Sequence, residues 1–364
     1  MPLPLRRELA GLIPYGAPQL DVPVRLNVNE NPYPPADDVV ADIAADVAVA
    51  ARGLNRYPDR DFLALREDLA GYLLRESGAR LAPAQIWAAN GSNEVMLHLL
   101  QAFGGPGRTA LSFAPTYSMY PEYARDTATA WVVGQREADF TLDPRVAADA
   151  IAAHAPSVVL LASPNNPTGT ALPLATIEAV LAAASAVTGG CVVVVDEAYG
   201  EFRRAGVPSA LELLRRYPHL AVSRTMSKAF GLAGARVGYL AAAPELVDAL
   251  RVVRLPYHLS GVTQAVARAA LRHAPALMAQ VGSLRAERDA TVAWLRGRGL
   301  TVADSDANFA LFGMFDDTRA IWQGLLERGV LIREVGPDGW LRVSIGTGEE
   351  MMAFRNALVE VAAL

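Results

Sequence analysis

Of the 33 lysine and arginine residues in this 364-residue chain, all but Lys228 are arginine. Arginine serves wherever charge alone is needed, so position 228 asks for something that arginine lacks. A guanidinium keeps its proton at any physiological pH, whereas an ε-amine can lose its proton and attack a carbonyl when its site lowers its pKa. A sole lysine therefore suggests imine chemistry. Around it, in SRTMSKAFGLAGARVGY (223–239), stand Thr225 and Ser227 before, Gly231 and Gly234 after, and then Arg236. Hydroxyls, closely approaching backbone and a guanidinium are what a phosphate dianion needs. The Ser-x-x-Lys pattern of penicillin-interacting enzymes fails, because the residue three before Lys228 is Thr225.

The elements that must position this lysine are short β-like runs alternating with helical ones: TALSF (109–113), AWVV (130–133), SVVLLAS (157–163), CVVVVDEAY (191–199), LAVSRT (220–225) and VGYLAA (237–242). Uncharged runs such as VVLL and CVVVV, rather than alternating ones, indicate strands covered on both faces, and so a doubly wound α/β layer. Functional groups of such a layer gather at the carboxyl ends of its strands. There PTY (115–117) follows TALSF, NNPTG (165–169) follows SVVLLAS, Asp196 closes CVVVV, and Lys228 follows LAVSRT. An aromatic, an amide, a carboxylate and an amine make a candidate site. Upstream, AANGSNEVMLHLLQAF places Gly91, Ser92 and Asn93 before a helix with Val95, Leu99 and Phe103 on its apolar face. That helix start is either a phosphate site or an ordinary N-cap at Ser92 or Asn93.

Residues 1–30 read as a proline-rich arm, 31–254 as a large α/β domain and 255–364 as a smaller α+β unit. The arm runs into RLNVNENPYPP. Helices are expected over 38–52 and after the Tyr57-Pro58 turn, where Phe62, Leu65, Leu69 and Leu73 fall in line. In the C-terminal unit a helix with Val262, Val266 and Ala270 and an arginine-bearing helix over 284–298 precede short strands around LTVADS, ANFALFGMF, VLIREV and LRVSI, with a helix over 319–328.

A hydrophobic content of 52%, 20% charged residues and a net charge of -5 describe a large globular core with no electrostatic footprint for nucleic acid. The N-terminus has prolines and an RRE cluster where a secretion signal needs an apolar run, and no long uncharged apolar stretch reads as a membrane span, so a cytoplasmic protein is expected. The single Cys191, in CVVVV, reads as a core residue. His98, His154, His219, His258 and His273 lack metal-ligand spacing, and no metal is expected; His258, in RLPYHLS, is kept as a candidate for a substrate pocket.

A lysine amine beside a phosphate site resembles the loop of the fold-type I enzymes that use pyridoxal 5'-phosphate (PLP). The ordered series LNVNENP, NRYPD, NGSNE, PTYSMYPE, SPNNPTGT, VVDEAYGEF, RTMSKAFGLAGARVGYL and LRVSIGT spans nearly the whole chain. It resembles the histidinol-phosphate aminotransferase family within the class I/II aminotransferase superfamily. The resemblance implies a large domain with a mostly parallel central sheet plus a smaller C-terminal domain. It implies that Lys228 forms the internal aldimine with PLP and carries the 1,3-proton transfer, with Asp196 on the ring nitrogen. Tyr199 and Asn166 would hold the ring 3'-oxygen, Tyr117 would stack on the ring, and Ser92, Asn93, Thr225, Ser227 and Arg236 would hold the cofactor phosphate. Tyr57 would reach the phosphate in a neighbouring subunit, which implies a homodimer. Arg342 resembles the arginine that clamps the amino donor's carboxylate, and Arg333 and Tyr15 match positions near the substrate's anionic end.

The implied reaction interconverts L-histidinol phosphate and its imidazole-acetol phosphate ketone, with 2-oxoglutarate and glutamate as the other pair. An aromatic amino-acid aminotransferase on the same scaffold is the nearest rival, because arginines for phosphate and for carboxylate look alike in sequence. A PLP-dependent decarboxylase and a non-catalytic PLP-fold regulator are more distant alternatives. Lys228, Asp196 and Arg236 together speak against the regulator.

Overall fold

The uncharged runs form the middle of one seven-stranded sheet. A computed structural model describes residues 3–364. In chain order the first half contains β1 (Val24–Arg25), α1 (Asp37–Ala51), α2 (Leu63–Ser77), β2 (Ile86–Ala89), α3 (Ser92–Phe103), β3 (Thr109–Ala114), α4 (Tyr120–Asp126), β4 (Ala130–Gln135), α5 (Pro144–His154), β5 (Val158–Ala162) and α6 (Leu174–Ser185). There follow β6 (Val192–Asp196), β7 (Leu220–Thr225), β8 (Gly238–Ala242), α7 (Pro244–Val253), α8 (Gly261–Arg272), α9 (Ala274–Gly297), β9 (Thr301–Val302), β10 (Phe309–Gly313), α10 (Thr318–Glu327), β11 (Val330–Leu331), β12 (Trp340–Ser344) and α11 (Gly348–Ala362).

The large sheet has the order β2-β8-β7-β6-β5-β3-β4, with only β8 antiparallel to its neighbours. Every residue of β5, β6, β7 and β8 is buried, which is why those runs carry no polar alternation. Removing each Val or Leu side chain of these runs from water contributes roughly 1.5–3 kcal/mol before entropy is counted. From β3 the chain moves outward to β4, then returns across the sheet to β5 and proceeds to β6 and β7. The strand order therefore reverses beside β3 and β5, and the crevice outside their carboxyl ends is where a ligand site forms in such sheets.

A three-stranded antiparallel sheet, β12-β10-β9, forms the second layer system near the C-terminus. The N-terminal segment is tied to it. β1 pairs with β11 in parallel, Ser344 N donates to the Leu26 carbonyl at 2.9 Å, and Arg342 Nη2 donates to the Asn27 carbonyl at 2.8 Å. LNVNENP thus lies as a strap between the small sheet and the carboxyl edge of the large one. α8 packs on α1 and α2. No helix among the described residues is long and apolar enough to cross a membrane.

Some expected elements differ. α9 begins at Ala274, ahead of the expected 284, because Pro275 sits in its first turn, where a missing N–H is harmless, rather than ending it. The N-cap of α3 is Gly91 and not Ser92 or Asn93, so both polar residues fall in the first helical turn. Gly91 has φ 83°, and a Cβ there would lie 2.5 Å from Arg236 Nη2. Only glycine meets both demands.

Candidate active site

The ends of β3, β5, β6 and β7 open into one cavity. It is lined by Lys228, Asp196, Tyr199, Tyr117, Asn166, Ser92, Asn93, Thr225, Ser227 and Arg236, and at its other end by Tyr15, Arg333 and Arg342. Of the candidates named from the sequence, Tyr57 is absent from it. Tyr57 is 79% exposed and stacks on Tyr257 with ring centroids 4.4 Å apart. His258 also lies elsewhere: it stacks on Trp87 at 5.3 Å, and its Nε2 is 2.9 Å from the Ala88 carbonyl, behind β2. The substrate-pocket expectation for His258 is corrected accordingly, since the apolar back of the sheet claims its ring.

Lys228 follows β7 on a tight turn and donates from Nζ to the Val28 carbonyl at 2.9 Å. Burial lowers its pKa to about 8, helped by Arg342 and Arg236 and opposed by Glu30. Near neutral pH a usable fraction of the amine is therefore uncharged and nucleophilic. Asp196 closes β6 and is buried. Burial raises its carboxyl to about 6, against the Tyr120 hydroxyl, which donates to Oδ2 at 3.1 Å, and the Ala198 N–H, which donates to Oδ1 at 3.2 Å. Such a carboxylate, short of a cationic partner, is suited to hold a protonated ring nitrogen.

At one end of the cavity several donors converge. Among the described residues, the backbone N–H groups of Ser92 and Asn93, in the first turn of α3, have no acceptor, and the helix dipole favours an anion there. Thr225 Oγ1 lies 3.0 Å from Ser227 Oγ, which in turn accepts from Arg236 Nη1 at 3.3 Å. Arg236 holds a left-handed backbone, φ 55°, that aims its guanidinium at this point. A Cβ on Gly238 would lie 2.2 Å from the backbone of Gly91 and Ser92, so β8 presses against the helix start at a distance only glycine permits. Converging donors of this kind suit a phosphate dianion.

At the other end Arg342 is 5% exposed. Its Nη1 donates to Asn166 Oδ1, and its Nε has no partner among the described residues. Burial beside Arg333 pushes its pKa down to about 10, which still leaves it protonated. Tyr15, half-exposed, accepts from Ser118 Oγ at 3.0 Å. Among the described residues, no carboxylate lies within ion-pair reach of Arg236, Arg333 or Arg342. Three guanidiniums and an amine against one buried carboxylate make a cavity for anions at both ends.

Beneath it lies a buried charge network. Arg224 of β7 donates to Glu197 at 2.8 Å and 3.0 Å and to Glu76 at 2.7 Å, and Ser209 Oγ and the Ala210 N–H also bind Glu197. Burial raises the Glu197 pKa, but Arg203 and Arg224 outweigh it and hold the carboxyl low. The network bolts the residue after Asp196 to the residue before Thr225.

Residues 22–358 match the family model for "Aminotransferase class I and II". The chain belongs to the class I and II aminotransferases. Among its relatives, the histidinol-phosphate aminotransferase of Thermobifida fusca is 62% identical over 98% of this chain and 95% of its own. Histidinol-phosphate aminotransferase 3 of Burkholderia lata is 62% identical over 100% and 96%. Among solved structures, the histidinol-phosphate aminotransferase of Sinorhizobium meliloti in complex with pyridoxal-5'-phosphate superposes with a TM-score of 0.83 at 26% identity, over 94% of this chain and 91% of that one. An aspartate aminotransferase variant of Thermus thermophilus gives 0.81 at 26% identity over 99% and 98%. This aminotransferase has the fold-type I architecture, a large mostly parallel sheet with helices on both faces.

The residues present fit the PLP of that relative: unpaired donors at a glycine-built cradle for its phosphate, a buried carboxylate for its ring nitrogen, and one neutralisable amine. Three contributors carry no obvious sequence signal. Tyr120 was legible only as the second tyrosine of PTYSMY, and Asn29 and Val28 only as part of LNVNENP. Their partners Asp196, Tyr199 and Lys228 lie far along the chain.

Proposed function

We propose that this PLP-dependent aminotransferase exchanges the amino group of L-histidinol phosphate with 2-oxoglutarate, giving imidazole-acetol phosphate and L-glutamate in histidine biosynthesis. The observation that carries the substrate is the full-length 62% identity to relatives bearing that name. Arg333 and Arg342, at the cavity's second end and without a carboxylate partner among the described residues, support it, since the amino donor's phosphate and glutamate's second carboxylate are both anions that a guanidinium can clamp.

When bound, PLP supplies an electron-withdrawing ring that makes the hydrogen on the amine-bearing carbon acidic. The chain's own residues do the rest. Lys228 Nζ would hold the cofactor covalently and, once freed by the substrate amine, would be the base that takes the proton from the amine-bearing carbon. Asp196 keeps the ring nitrogen protonated. Tyr199 and Asn166 hold the 3'-oxygen, while Tyr117 covers the ring face. Ser92, Asn93, Thr225, Ser227 and Arg236 fix the phosphate. Arg342, Arg333 and Tyr15 bind the substrate's anionic end.

The same reading takes residues 1–30 as an arm, 31–254 as the cofactor domain and 255–364 as the smaller unit, in a cytoplasmic homodimer to which Tyr57 contributes across the interface. The exposed Tyr57–Tyr257 stack, outside its own chain's cavity, supports a role in a partner's site.

The test is a half-reaction: PLP-loaded protein is mixed with histidinol phosphate or with phenylalanine, without keto acid, and the visible absorbance is followed. Fast loss with histidinol phosphate and sluggish loss with phenylalanine is expected. A preference for phenylalanine would move the enzyme to the aromatic aminotransferases, and no change with either would sink transamination. Lys228→Arg is the blank.

A further inference from the structure

Asn29 is 1% exposed and has φ 57°, a left-handed conformation that asparagine tolerates better than most side chains. Every polar group it owns is engaged. Its backbone N–H donates to Ser344 Oγ at 2.8 Å, and its carbonyl accepts from Asn308 Nδ2 at 3.0 Å. Its side-chain Oδ1 accepts from Ser344 Oγ at 2.9 Å, and its Nδ2 donates to Tyr199 Oη at 2.9 Å.

These bonds have a direction. Ser344 Oγ receives the Asn29 N–H and gives its own hydrogen to Asn29 Oδ1. That fixes the amide so that Nδ2, with its hydrogens, faces Tyr199. Asn166 is oriented the same way: Arg342 Nη1 donates to its Oδ1, leaving Nδ2 toward Tyr199 Oη at 3.5 Å. The phenol oxygen thus accepts from two amides, and no group among the described residues accepts its own hydrogen, which leaves it for the cavity. Burial raises the Tyr199 pKa, so the hydrogen is present to be given.

We propose that Asn29, oriented by Ser344 of the small sheet, is a positioning residue that forces Tyr199 to act as a hydrogen-bond donor toward the cofactor's ring oxygen. The inference rests on the aminotransferase reading above, in which that oxygen lies beside Tyr199. It makes the electronic state of the cofactor depend on contact between the LNVNENP strap and β12. The charged groups that also face Tyr199 are Arg342 and Asp196, with the Tyr15 phenol nearby, and none of them accepts its hydrogen.

A donor to the 3'-oxygen stabilises its anion and so lowers the pH at which the holoenzyme's visible band titrates. The experiment measures that midpoint in PLP-loaded wild type, Tyr199→Phe, Asn29→Ala, Asn29→Asp, Ser344→Ala and the Asn29→Ala/Tyr199→Phe double variant, with circular dichroism as the check on folding. Tyr199→Phe is expected to raise the midpoint by about one pH unit or more, the size of one lost charge-assisted hydrogen bond. Asn29→Ala should raise it by about half a unit. Asn29→Asp should do so more, because a carboxylate turns the phenol hydrogen away from the cavity. Ser344→Ala should shift it in the same direction, and the double variant should match Tyr199→Phe alone. An unshifted Asn29→Ala beside a shifted Tyr199→Phe overturns the relay only, as do additive shifts in the double variant. An unshifted Tyr199→Phe removes the phenol from the cofactor and overturns both this inference and the site reading beneath it.

Discussion

Lys228 Nζ donates to the carbonyl oxygen of Val28 at 2.9 Å, joining positions 200 residues apart. The only lysine of the chain is thereby held by the strap that also binds the small sheet, with Arg342 and Arg236 nearby as like charges. The carbonyl favours the protonated amine, but burial and the two guanidiniums weigh more and set the pKa near 8.

Cofactor uptake should follow this balance. Only the neutral amine attacks the aldehyde of PLP, and a pKa of about 8 leaves about a tenth of it neutral at pH 7, against roughly a three-thousandth at the ordinary 10.5. The rate at which apo-protein gains the visible band of bound PLP should rise tenfold per pH unit below about 8 and level off above it. Stopped-flow reconstitution between pH 6 and 10 reads this directly, and a rate still climbing steeply at pH 9.5 contradicts the depressed pKa.

Asp196 sets function against stability. Its folded-state pKa, about 6, lies above the unfolded value of 3.8, so the folded apo-protein binds more protons between those values. The sign follows: this carboxyl costs nothing below pH 3.8, and stability falls as pH rises through about 6. Asp196→Asn should therefore stabilise the apo-protein at pH 7.5 by about 1–3 kcal/mol and leave it nearly unchanged at pH 4, while lowering transamination by several orders of magnitude. Urea unfolding of both apo-proteins at the two pH values checks it; equal stability at pH 7.5 would mean that the carboxylate finds compensation the buried site does not display.

Much of this was legible because burial and chemistry coincide at strand ends. LAVSRT is β7 residue for residue, and β6 carries its valines into Asp196, the strand's last residue, whose buried carboxyl lines the cavity. β2 escapes a reading of the sequence: IWAA is four residues long and ends in two alanines, so it offers no run to count. The strap stands in the sequence only as the end of the proline-rich arm, since its bonds to Ser344, Tyr199 and Lys228 are long-range and no local period announces them. Tyr120 was hidden for the same reason, as its role depends on β6 lying two strands from β3.

Gly238→Ala tests the phosphate cradle by packing alone. The added methyl would meet the backbone of Gly91 and Ser92 at 2.2 Å, and backbone at a helix start cannot swing aside as a side chain does. The variant should lose about 1–3 kcal/mol of apo-protein stability. Its affinity for PLP should fall at least about tenfold, the equivalent of 1.4 kcal/mol, because α3 is pushed from β8 and its free N–H groups from Arg236. Fluorescence titration with PLP and chemical unfolding measure the two effects, and wild-type affinity in a destabilised protein would separate the cradle from the cofactor.

Tyr57 tests the assembly. Its ring stacks on Tyr257 at the surface, while Leu54, Val252 and Leu255, its neighbours in sequence and in the Tyr257 segment, are at least 62% exposed. If Tyr57 serves a partner's site, Tyr57→Ala and Lys228→Ala chains should each be nearly inactive alone yet complement when mixed and refolded. A mixed dimer then holds one site with wild-type Lys228 and wild-type Tyr57, and a second site lacking both. Random pairing makes half the dimers mixed, so activity should recover to about a quarter of wild type. Sedimentation velocity on the same samples gives the oligomeric state. A monomer, or a dimer whose mixture stays inactive, places Tyr57 outside any partner's site.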